Sequence, residues 1–177
     1  DIEYQYHIRH TEEGVIRNDY EDFDEWYAND KIENPYFWQR YRRYLIEKSS
    51  IDITSINLLD EETLPNIMNC LGNPNDKLSS PRLRRGLIIG DVQSGKTANY
   101  IGVISKAADA GYKVIIVMPD TMSEERRSLI SAYGAELVLP DGKKGMAGAV
   151  GTLRAMVEVF EKNTVPICYT PTGIDCI

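Results

Sequence analysis

The run Gly90-Asp91-Val92-Gln93-Ser94-Gly95-Lys96-Thr97 reads G-x-x-x-x-G-K-T, and these residue types at this spacing suit the holding of a phosphate. Glycines let the backbone curl until successive N–H groups point at one anion. Lys96 would reach the β- and γ-phosphates, and the Thr97 hydroxyl would sit on Mg²⁺. Gly90, Ser94, Gly95, Lys96 and Thr97 are therefore the expected binding residues, with ATP and Mg²⁺ as the expected ligands. Hydrolysis needs a carboxylate on the metal as well. Asp120, beyond the apolar run Val114–Met118, is the candidate, so Thr97 and Asp120 are the expected metal pair. The plainer alternatives are a chance glycine-rich turn and an Asp120 that merely opens the next helix, since Pro119 intervenes. Arg126 and Arg127 could sense phosphate or simply form a basic helix face.

The elements around the motif could position it. Leu87–Ile89 reads as a buried strand, and Thr97–Ala110 as a helix closed by Gly111, its positive N-terminus aimed at the anion. Lys113–Met118 is apolar on both faces, as a covered parallel strand should be. A helix from Thr121 to Tyr133, opened by a capping box, a strand Glu136–Leu139, a helix Gly145–Glu161 and a strand Val165–Tyr169 follow. Strands separated by helices predict an α/β fold with a short parallel sheet of three to four strands. Upstream, Tyr36–Lys48 carries Phe37, Tyr41, Tyr44 and Leu45 at helical spacing. Arg40, Arg42 and Arg43 lie mostly off that face and could contact phosphate or pair with the acidic segment before them. A second helix is expected from Thr63 to Leu71, because Pro65 is comfortable only in a first turn. Ser50–Ile56 is spaced too variably to decide between strand and loop. Two regions result: an acidic arm and helical region over 1–80, and an α/β core over 81–177.

Composition sets the outer bounds. The chain has 177 residues, 27% of them charged, and a formal net charge of −7. That charge argues against a generally basic nucleic-acid-binding surface, although clustered Lys and Arg could still form a local patch. An odd number of cysteines (Cys70, Cys168 and Cys176) without metal-ligand spacing predicts reduced thiols in a cytoplasmic protein. No apolar run is long enough to span a membrane. His7 and His10 lack partner cysteines for a metal site. The acidic residues from Glu12 to Glu25 among aromatics suit a solvated face, or an arm that docks on a basic protein.

Two resemblances meet in this sequence. R-R-G-L-I-I-G-D-V-Q-S-G-K-T-A-N-Y, Arg84 to Tyr100, and K-A-A-D-A-G-Y-K-V-I-I-V, Lys106 to Val117, make residues 37–117 resemble the Z-one domain family. These are P-loop proteins described as endonuclease-associated ATPases of prokaryotic defence loci. The long run G-Y-K-V-I-I-V-M-P-D-T-M-S-E-E-R-R-S-L-I-S-A-Y-G-A-E-L-V-L-P-D-G-K-K-G-M-A-G-A-V, Gly111 to Val150, is similar instead to the cysteine synthase (O-acetylserine sulfhydrylase) family. That resemblance implies a fold-type-II pyridoxal-phosphate enzyme of α/β architecture, but only a scaffold portion of it. Neither the segment that carries the Schiff-base lysine nor the glycine-rich loop for the cofactor phosphate is found. The family's substrate-carboxylate loop, S-G-N-T-G, has Ser94-Gly95-Lys96-Thr97-Ala98 in the comparable place, with Lys96 for the asparagine and a longer helix after it. A mosaic joined near residues 110–117 is the expectation, natural or engineered.

The functional expectation is an ATP–Mg²⁺-binding P-loop protein of a defence system, with weak turnover or none because the catalytic carboxylate should lie in replaced sequence. A non-catalytic antitoxin or inhibitor that binds a basic toxin is the alternative. A cysteine-synthase-like protein is the third reading, and pyridoxal phosphate is not expected as cofactor.

Overall fold

A computed structural model describes residues 25–29, 32–71, 73–75, 87–88, 96–157, 164–170 and 173–176. In chain order the helices are α1 (Trp26–Asn29), α2 (Tyr36–Lys48), α3 (Ile53–Leu58), α4 (Leu64–Leu71), α5 (Lys96–Asp109), α6 (Glu124–Ala132) and α7 (Gly145–Val157). The strands are β1 (Leu87–Ile88), β2 (Lys113–Val117), β3 (Ala135–Val138), β4 (Thr164–Thr170) and β5 (Gly173–Cys176). They form one sheet in the order β1-β5-β4-β2-β3.

The α/β character expected from the alternating pattern is present, whereas the short parallel sheet of three to four strands is not: the described strands form a mixed sheet of five. β2 pairs in parallel with β3 and with β4. β5 then runs antiparallel to both β4 and β1. The reason is local. Only two residues in sequence separate β4 from β5, and two strands joined so closely pair as an antiparallel hairpin.

β2 explains the layering. Its alternate residues Val114 and Ile116, with Met118 just beyond its end, join a core with α2, α4, α5 and α6, while Ile115 and Val117 pack with Ala149 and Leu153 of α7. Side chains on a strand point to opposite faces by turns, so a strand apolar throughout must be covered on both. The larger core runs without a break from Trp26 and Trp38 to Ile130 and Ala135. The helical N-terminal region and the α/β region thus share one interior.

The helix from Ile53 to Leu71 is α-helical at both ends and widens to a π-helix over Leu59–Thr63. Pro65 accounts for the widening. Within an α-helix its ring would strike the carbonyl four residues earlier, that of Glu61, and a widened turn relieves that contact. The helix also starts earlier than its sequence spacing suggests. Asp52 caps it, accepting from Ser55 N at 2.9 Å and Ser55 Oγ at 2.7 Å. Gly102 of α5 allows a close approach, since a Cβ there would meet the Leu64 side chain of α4 at 2.7 Å.

Candidate functional site

The residues chosen for phosphate chemistry are only partly described. Lys96 opens α5, and Thr97 beside it is exposed. Gly90, Ser94 and Gly95 lie outside the described residues. Asp120 is exposed and already engaged: its Oδ1 accepts from Gly142 N at 2.9 Å, and its own N–H donates to Pro140 O at 3.1 Å. It pins the loop after β2 to the loop after β3. A side chain at position 142 would collide with Asp120 and Thr121, so glycine is required for that approach. β1 and β2 are separated in the sheet by β5 and β4, about 14 Å at normal strand spacing. Among the described residues no group of three or more His, Cys, Asp or Glu is placed to hold a metal. Arg126 is exposed and Arg127 half-buried on α6.

A different cluster has a defined geometry. Lys106 of α5 is buried, at 5% exposure. Its Nζ lies 2.8 Å from Asp60 Oδ1 and 3.3 Å from the Asp60 carbonyl oxygen. The same ammonium sits 4.7 Å from the Trp38 ring centre and 5.3 Å from that of Tyr27. Such positions over aromatic rings attract a cation electrostatically. Asp60 lies within the π-helical turn and also takes Arg42 Nε at 3.2 Å, while Arg42 Nη2 donates to Asn57 Oδ1 at 2.8 Å. Arg42 therefore pairs with a downstream acid. Arg40 instead stacks on Tyr36 and donates to its hydroxyl.

One turn along α5, Asp109 caps α2 from far away in sequence. Its two carboxylate oxygens accept from Phe37 N at 2.9 Å and Trp38 N at 2.8 Å. Pro35, at the cap position itself, offers no side-chain acceptor. A carboxylate there also meets the positive end of the helix dipole. Burial, then the negative charges of Asp60 and Asp109, push the Tyr27 phenol above its ordinary range. Tyr27, Ile32, Pro35, Trp38, Gln39, Arg42, Asp60 and Lys106 line a cleft of 530 Å³. Sequence reasoning missed this cluster. The available signal was a lysine and an aspartate three residues apart inside the apolar run Ile101–Ala110.

No protein-family model matches the chain. Among curated proteins it is 40% identical over 91 residues to a probable cysteine synthase of Bacillus subtilis, covering 51% of this chain and 29% of that protein. It is 43% identical over 77 residues to a cysteine synthase of Staphylococcus aureus, covering 44% of this chain and 24% of that protein. A cysteine synthase of a Flavobacterium species matches at 42% over 84 residues, 48% of this chain and 27% of that protein. About half of the chain is cysteine-synthase-like. The chain spans less than a third of the length of these relatives.

These relatives overturn the leading expectation. The P-loop, Walker A reading, with ATP and Mg²⁺ bound by a defence-system protein, is replaced by a likeness to cysteine synthase, and the antitoxin alternative goes with it. The physical reason is that both loops ask the same of the chain: small residues before a helix N-terminus that faces an anion. A G-K-T spelling alone does not say which anion. None of these three relatives supports the Z-one resemblance. The expectation that excluded pyridoxal phosphate is corrected too, because the family resembled uses that cofactor. Among the described lysines, Lys106 does not fit it, because its buried ammonium is given to Asp60 at 2.8 Å, while exposed Lys113 faces Glu136 Oε2 at 3.5 Å. No helix among the described residues is long and apolar enough to cross a membrane.

Proposed function

We propose that the run from α5 to α7 is a cysteine-synthase-type subdomain in which Ser94 to Ala98, leading into α5, seat the carboxylate of an amino-acid substrate. The observation that carries this reading is the 40–43% identity to three cysteine synthases over 77–91 residues. The helix–strand–helix–strand–helix order, with β2 and β3 in parallel, agrees with it. Ser94, Gly95, Lys96, Thr97 and Ala98 stand where the family has S-G-N-T-G. The first N–H groups of α5 have no partner within the helix and suit a carboxylate as they would suit a phosphate. Thr97, exposed at the first turn, offers a hydroxyl donor. Lys96 brings a charge where the family has an amide, which strengthens attraction to the carboxylate and loses an acceptor.

The chain spans about a quarter of the relatives' length, so sulfur transfer belongs to a complete enzyme. The share of this segment is to bind and orient the substrate. Coverage of about half the chain also supports a composite origin. A cytoplasmic setting accompanies the reading. The test is an amide-resolved magnetic resonance titration of the whole chain with O-acetyl-L-serine. Saturable shifts concentrated at residues 94–98, weakened several-fold by Thr97→Val, are expected. Absence of shifts, or equal shifts with acetate, would overturn the proposal.

A further inference from the structure

We infer that the cleft between α2, the π-helical turn and α5 is a binding site for a small organic anion with a planar apolar body. The site is independent of the one proposed at Ser94 to Ala98. Its position is set by Trp38 and Arg42 one helical turn apart on α2, Asp60 on the π-helix and Lys106 on α5.

Charge decides the sign of the ligand. Arg42 and Lys106 face the cleft against one carboxylate, Asp60, whose two oxygens are both taken by these cations. Asp109, the other acid near Tyr27, turns its oxygens to the N-terminus of α2, where the helix end already balances it. Among the described residues the cleft is therefore left with an excess of positive charge, on a chain of net charge −7. Its bonds to Asp60 and Asn57 use one proton each from Nε and Nη2 of Arg42, and a guanidinium has more donors than that, in a planar fork that matches a carboxylate. Gln39 adds an exposed amide at the rim.

Shape decides the rest of the ligand. The walls include Trp38, Tyr27, Ile32 and Pro35, and the volume of 530 Å³ falls within the range of small-molecule sites. Apolar walls with convergent polar groups are the usual composition of such a site, and here Gln39, Arg42, Asp60 and Lys106 join the apolar walls. A π-helical turn is also a feature found frequently at functional positions. Here it brings both the carbonyl and the carboxylate of Asp60 to Lys106. The arrangement fixes Lys106 as part of the floor and leaves Arg42, with 36% of its side chain exposed, as the group that meets the ligand.

The experiment is calorimetric titration of the whole chain with 2-naphthoate, 2-naphthylmethylamine and inorganic phosphate, repeated on Arg42→Met, Arg42→Lys and Gln39→Ala. Saturable millimolar or tighter binding of 2-naphthoate is expected, with the amine and phosphate at least tenfold weaker. Arg42→Met should weaken 2-naphthoate about tenfold or more, the scale of a lost charge-assisted pair. Arg42→Lys, which keeps the ion pair with Asp60 and so the fold, should lose less, and Gln39→Ala about twofold to threefold on the scale of one neutral hydrogen bond. No binding of 2-naphthoate, equal binding of the amine, preferential binding of phosphate, or an unchanged affinity in Arg42→Lys and Gln39→Ala together would overturn the inference.

Discussion

Replacing Lys106 by Met tests how the two regions of the chain are held together. The methionine keeps most of the aliphatic stem and removes the ammonium, leaving Asp60 with Arg42 as its remaining cationic partner. Breaking a buried ion pair by removing one member costs about 3–5 kcal/mol. Here the cost is smaller, because Asp60 is a quarter exposed and keeps Arg42 Nε at 3.2 Å. Loss of the contacts with Trp38 and Tyr27 adds about 1 kcal/mol. The net expectation is about 2–3 kcal/mol of destabilisation, or a urea midpoint lower by about 1–1.5 M at a slope near 2 kcal/mol per molar. A double-mutant cycle with Asp60→Asn should return a coupling of about 1–3 kcal/mol. A Lys106→Met midpoint within about 0.5 kcal/mol of wild type, or additive single effects, would refute the reasoning.

Other perturbations address other joints of the structure. Asp109→Ala should cost about 1–2 kcal/mol in urea unfolding by uncapping α2, whereas Asp109→Asn should recover much of the loss. The hydrogen bonds from the Ser55 hydroxyl and then the Ser55 N–H hold the Asp52 carboxyl below its usual range. Its contribution to stability is therefore present above the ordinary aspartate pKa and is lost as pH falls through the depressed value. Carboxyl carbon titration by magnetic resonance should show that midpoint rise in Ser55→Ala. Leu153→Ala, at a fully buried α7 position against Ile115 and Val117, should cost about 3 kcal/mol in the same unfolding assay.

Much of the fold was legible because the α/β region obeys local rules. Tyr36–Lys48 forms as its spacing predicts. Gly111 and Gly134, both at positive φ, end α5 and α6 as expected of helix-terminating glycines. β2 shows its two-sided burial in its composition. The illegible parts depend on contacts between distant residues. Nothing near Pro35 announces that its helix is capped by Asp109, and Lys106 could have been one more solvated lysine. The π-helix was not legible, since Pro65 suits the first turn of a helix starting at Thr63, whereas the chain keeps one longer helix and widens its turn over Leu59–Thr63. Before α5 the limit was chemical. Backbone donors at a helix start suit phosphate and carboxylate alike, so the residue types pointed to an anion without saying which one.

The most direct test of the central claim is a paired calorimetric titration of the whole chain with O-acetyl-L-serine and with ATP–Mg²⁺. A cysteine-synthase-type seat at Ser94–Ala98 predicts saturable heat from the amino acid, reduced in Thr97→Val, and none from the nucleotide. Saturable heat from ATP–Mg²⁺ that disappears in Lys96→Ala, with none from the amino acid, would contradict the account.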